Sequence, residues 1–75
     1  MAICKVTFEL DSEPYVFWSI CDTHLSSEQD EEILAGQASF LISECRKAKS
    51  LCAGKVTNIN LYYDDELIYS CDEFE

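Results

Sequence analysis

Residues Ile3 to Leu10 alternate in polarity. Cys4, Val6, Phe8 and Leu10 face one way, and Lys5, Thr7 and Glu9 the other, which predicts a half-buried strand. Asp11-Ser12-Glu13-Pro14 follows as a polar turn closed by proline. A second strand, Tyr15 to Cys21, is apolar on both faces: Val16, Trp18 and Ile20 on one, Tyr15, Phe17 and Cys21 on the other. Alternation does not decide which face is buried. The four-residue connection makes the two strands a hairpin, and Asp22 to Leu25 is a short link.

The pattern then changes period. From Ser26 to Gly54 it predicts one long helix, with Ser26 or Ser27 as N-cap and Gln29 or Asp30 as the capping-box partner. Acids at the start and Arg46, Lys47 and Lys49 near the end oppose the helix dipole. Gly54 suits the C′ position. Leu34, Ala38, Leu41, Cys45, Ala48 and Cys52 form a seam at alternating steps of four and three. A second stripe, Ile33, Phe40 and Leu51, lies about 100° round the helix. It needs another surface: a sheet that curls over it, a partner, or a second copy of the chain.

After Gly54 a third strand runs from Lys55 to Tyr63, with Thr57, Ile59, Leu61 and Tyr63 on its apolar face. Asp64-Asp65 is a turn without glycine. The fourth strand is Glu66 to Cys71, with Leu67, Tyr69 and Cys71 on one side and Ile68 on the other; Asp72 to Glu75 is an acidic tail expected to fray. The order ββαββ returns the third strand beside the first. The expected fold is therefore α+β: a four-stranded antiparallel sheet, order 2-1-3-4, with the helix on one face. The open face would show Tyr15 or Phe17, Thr7, Asn58, Asn60, Tyr62 and Ile68.

Seventy-five residues make one domain, 1–75, with a modest core. An apolar fraction of 48% argues for a folded chain. Charge is the anomaly. The net charge is −10, yet four of the five basic residues lie between Arg46 and Lys55, so the remainder carries fifteen acids against one base, a net −14. Direct binding of nucleic acid by a broad basic face is disfavoured, as is adsorption to an anionic membrane. A basic partner would be steered toward the chain.

Chemistry is sparse. Cys4, Cys21, Cys45, Cys52 and Cys71 are odd in number, lack a CxxC spacing and fall at apolar positions, so they read as thiols in a reducing, cytoplasmic setting. The start has no basic segment leading into an apolar run, and no stretch approaches a membrane span. His24 is the one histidine. With Cys21 and Asp22 it would form a triad confined to one link, without an oxyanion donor. Zinc lacks a second ligand pair, and calcium lacks the spaced Asp/Asn loop with its central glycine. No cofactor, metal or catalytic residue is expected, and an enzyme is disfavoured.

Binding remains. In size, charge and composition over the whole chain, the protein resembles the small acidic inhibitors that bacteriophages encode against host defence or nucleic-acid enzymes, including anti-CRISPR proteins and DNA mimics. The resemblance rests on no motif and assigns no residue. It implies a non-enzymatic protein whose carboxylates replace phosphates in the groove of a basic, nucleic-acid-handling partner. Three acidic groups are the candidate contacts: Glu28, Asp30, Glu31 and Glu32 at the helix start; Asp64, Asp65 and Glu66 at the hairpin tip; Asp72, Glu73 and Glu75 in the tail. The alternative is a structural or assembly module that forms a homodimer through Ile33, Phe40 and Leu51 or through the aromatic open face of the sheet.

Overall fold

The computed structural model describes residues 2–21, 24–51 and 54–73. Strands β1 (Ala2–Leu10) and β2 (Glu13–Cys21) precede helix α1 (Glu31–Lys49), and β3 (Val56–Tyr63) and β4 (Glu66–Glu73) follow it. The sheet is antiparallel with order β2-β1-β3-β4, and the helix packs across one face. The α+β architecture and the strand order are those expected.

Both hairpins close on two residues. Asp11 and Ser12 have φ of 51° and 72°, and Asp64 and Asp65 have 51° and 69°. These are the left-handed values of a type I′ turn, whose twist matches that of the flanking strands. Asp tolerates that region because its short side chain bonds locally. The first turn is thus tighter than the four residues expected, and Glu13 and Pro14 belong to β2. Proline fits there because β2 is an edge strand.

The helix is shorter than its pattern predicts, 19 residues from Glu31 to Lys49. The capping chemistry of Ser26 and Gln29 is spent on a separate turn. The Ser26 amide donates to Gln29 Oε1 at 3.1 Å, and the Glu28 amide donates to Ser26 Oγ at 3.0 Å. Asp30 becomes the N-cap, with no side-chain bond of its own. At the other end Ser50, not Gly54, takes the left-handed conformation, at φ 54°. The amides of Leu51 and Ser50 donate to the carbonyls of Arg46 (2.9 Å) and Lys47 (3.4 Å), the closure that leaves the following apolar residue against the core. Leu51 therefore lies off the helix and half-buried against the core, which removes it from the expected second stripe. Gly54 serves a close approach instead: a Cβ there would meet the Asp11 carboxylate, which accepts the Lys55 amide at 3.1 Å.

Leu34, Ala38, Leu41 and Cys45 are buried as the seam predicts, joined by Ile42; Ala48 is exposed. Cys52 lies outside the described residues. Beneath the helix, Cys4, Val6, Phe8, Leu10, Ile59, Leu61 and Ile68 fill the inner face of the sheet. Tyr15, Phe17 and Cys21 also pack inward, so Val16, Trp18 and Ile20 take the open face.

Two irregularities break the expected alternation. In β3 the register with β1 shifts between Thr7 and Glu9. Asn58 there has φ 51° and donates to Glu9 Oε2 at 2.6 Å. Thr57 consequently pairs with Glu9, in the row of the open face rather than the core row. In β4 the register with β3 shifts between Leu61 and Tyr69 on one side and Tyr62 and Leu67 on the other. Ile68 is the extra residue, as in a bulge. It turns into the core with Tyr69 while Leu67 faces out. Ile68 and Leu67 have thus exchanged the faces the alternation predicted. Asp72 and Glu73, expected to fray, belong to β4, where Glu73 pairs with Thr57.

Candidate binding surface

Two of the three acidic groups meet. The link into the helix and the β3–β4 turn lie side by side, around a shallow depression of about 400 Å3 lined by His24, Glu28, Tyr63, Asp64 and Glu66 among others. The Asp64 amide donates to the Ile3 carbonyl at 2.9 Å, which fixes the turn against β1. The His24 ring stands edge-on to Tyr63, centroids 5.5 Å apart, and the His24 carbonyl accepts from Gln29 Nε2 at 3.2 Å. Asp30, Glu31 and Glu32 are exposed on the adjoining first turn of α1. The third group stands apart: Asp72 and Glu73 lie at the other end of β4, about 20 Å from the turn by strand rise. Glu73 is partly neutralised by Lys55, at 3.2 Å. Glu75 lies outside the described residues.

The open sheet face carries a second surface that polarity counts alone miss. Ile3, Val16, Trp18, Ile20 and Leu67 are 48–59% exposed. The register places Ile3 beside Ile20 and Lys5 beside both Trp18 and Tyr62, and Tyr62 beside Leu67. Lys5 Nζ lies 4.8 Å from the centre of the Tyr62 ring, a cation–π contact worth about 0.5–1 kcal/mol at an exposed site. Ile3, Lys5, Trp18, Asp64 and Asp65 line a depression of about 250 Å3. Asp64 therefore borders both the acidic end and the apolar face. The signal was available in the chain, because a strand apolar on both faces, in a sheet that one helix covers on one face only, must expose the other. On the helix, Ile33 and Phe40 of the second stripe are 52% and 56% exposed, so the sheet does not curl over them.

Among the described residues, Cys4 and Cys45 are buried in the core, and Cys21 and Cys71 pack against it. Burial, then a hydrogen bond with Cys21 and its charge, push the Cys4 thiol up to about 12. Burial likewise raises Cys45. Cys71 donates to the Glu73 carbonyl at 2.9 Å. Raised thiols are poor nucleophiles, because the thiolate is the reactive form. Cys21 and His24 are both described, but Asp22, the third member of that triad, lies outside the described residues. Among the described residues no cluster of three or more His, Cys, Asp or Glu side chains is placed to hold a metal ion, and no helix is long and apolar enough to cross a membrane. No protein-family model, curated protein or solved structure matches the chain.

Proposed function

We propose that the protein is a non-enzymatic binding module that seats its acidic end on a basic, nucleic-acid-handling protein and covers the groove there, in the manner of the phage-type inhibitors it resembles. One observation carries this reading: Asp64 joins Glu28 and Glu66 on one side and Trp18 on the other. A surface of that kind offers carboxylates to lysine and arginine, with an aromatic anchor beside them, the pairing that dominates interface energetics. The turn and the helix start are held by backbone hydrogen bonds, so little ordering is required on binding. The tail group, at the far end of β4, would steer rather than anchor. A cytoplasmic setting, where such partners work, belongs to the same proposal.

The test is capture of a partner from lysate at low and high salt, followed by a nucleic-acid competition assay on whatever is captured. Asp64→Asn with Asp65→Asn removes charge while keeping a residue that tolerates positive φ; Glu28→Lys and Glu66→Lys reverse charge without that constraint. Binding should weaken with each change and with salt, because screening shortens from about 30 Å at 0.01 M to about 10 Å at 0.1 M. Binding indifferent to all of these, or a partner with no basic groove, removes the reading. A second reading, an assembly module, is favoured by the five exposed apolar side chains of the open face.

A further inference from the structure

The outer edge of β2 has a property that the open face alone does not. The Asp11-Ser12 turn makes Leu10 and Glu13 a hydrogen-bonded pair, and such pairs alternate along the hairpin. Through the regular β1–β2 register, Tyr15, Phe17, Ser19 and Cys21 direct their backbone groups inward to β1. Val16, Trp18 and Ile20 direct theirs outward. The Ile3 carbonyl, which points away from β2 to accept the Asp64 amide, agrees with this alternation. Among the described residues, a row of backbone donors and acceptors with no partner strand thus runs along the same residues whose side chains are 52%, 59% and 59% exposed; the Ile20 carbonyl in it accepts from Ser19 Oγ at 3.5 Å.

We propose that two copies of this chain pair antiparallel along β2, centred on Trp18. This deepens the assembly reading, on which it rests, and moves the contact from the face of the sheet to its edge. Charge selects the occupant. Each chain carries −10, so two copies repel wherever their carboxylates face each other, whereas an uncharged strand can meet its own copy and offers no charge to a basic partner. From Pro14 to Cys21 β2 has no acidic or basic side chain. Centred on Trp18, the pairing sets Trp18 opposite Trp18 and Val16 opposite Ile20 of the second copy, and keeps Pro14, which lacks an N–H, out of the outward bonds. About six backbone hydrogen bonds form. The half-buried Tyr15 and Phe17 on the helix side gain cover as the two sheets become one. Glu13 of each copy falls at the outer end of the pairing, away from its twin.

Sedimentation equilibrium and backbone hydrogen exchange test this. Wild type should be a dimer that tightens between about 0.05 M and about 0.5 M salt, since screening relieves like-charge repulsion; attraction to a basic partner runs the other way. Val16→Pro removes an outward N–H and no bond to β1. It and Trp18→Lys should weaken the dimer by about tenfold or more with an unchanged far-UV spectrum. Leu67→Lys, on the open face away from the edge, and Phe40→Asp, on the helix, should leave it intact. On wild type alone, the amides of Val16, Trp18 and Ile20 should gain protection as concentration rises. A dimer that survives Val16→Pro and Trp18→Lys but not Leu67→Lys or Phe40→Asp overturns edge pairing and keeps the assembly reading. A monomer at high concentration, with those amides unprotected, overturns both.

Discussion

β2 and β4 are the two edges of one sheet, and their outer sides differ in charge, regularity and cover. β4 carries Glu66, Asp72 and Glu73 within eight residues, and its ladder is broken by the bulge at Ile68. Charges and bulges are what keep an edge from pairing with another chain. β2 has Glu13 and Pro14 at one end only; its remaining seven residues are uncharged and its register is unbroken. Fifteen acids were available to a chain of this length, and none stands between Pro14 and Cys21. The contrast is between an edge with charges and a bulge and an edge with neither along seven residues, within a single small sheet.

The largest effects that sharpen this contrast are in stability. Ile68, drawn into the core by the bulge, is 7% exposed, whereas Ile20 is 59% exposed. Ile68→Ala should cost about 2–5 kcal/mol, as should Leu41→Ala on the helix seam. Ile20→Ala should change monomer stability by less than about 1 kcal/mol. Urea unfolding below the dimerisation range measures all three. Equal midpoints for the two isoleucine variants would mean that β2 is as embedded as β4.

Alkali probes the two sides next. Cys4, paired with Ser19 of β2, is pushed up to about 12 by burial from an ordinary 9.0. The unfolded chain therefore loses its proton first, and stability should be intact below pH 9 and fall as pH climbs from about 9 toward about 12. On the β4 side, Tyr69 is raised by burial and then by its hydrogen bond with Cys71, which adds to the decline above the ordinary tyrosine range. Urea midpoints across that window should flatten more in Cys4→Ala than in Tyr69→Phe.

Smaller changes test what anchors the β2 hairpin and what does not. Gly54→Ala places a methyl against Asp11 and should cost about 1 kcal/mol as the bond to the Lys55 amide loosens. Gly36 lies in the middle of the helix with open space around it. Gly36→Ala should stabilise the monomer by up to about 1 kcal/mol and leave association unchanged. A shift in the dimer constant with that variant would place the interface on the helix.

Much of the fold was legible because its signals are long. Nineteen helical residues and an eight-residue alternation in β1 average over local exceptions. What failed was short and local. Ser26 and Gln29 carry the chemistry of a helix cap, yet they close a turn before Asp30. Ser50 adopts a backbone conformation for which Gly54 was the better candidate by type. Asn58 and Ile68 each add one residue to a ladder, and one added residue reverses every face beyond it. The acidic end was visible as composition, but its union through Asp64 needed the turn to lie against Ile3. Trp18 was visible as an apolar residue, but its exposure follows from Tyr15 and Phe17 turning to the helix side.

The central place of β1 has a consequence for the time order of folding. β1 bonds to β2 on one side and β3 on the other. When the chain is made from its N-terminus, the β1–β2 hairpin can close within microseconds, while β3 and the helix seam are still to come. For that interval the hairpin has two open edges and no cover on the face that later holds Val6 and Phe8, the kind of species that aggregates most readily. Val16, Trp18 and Ile20 are therefore exposed twice, once in passing on the growing chain and once for good in the finished monomer.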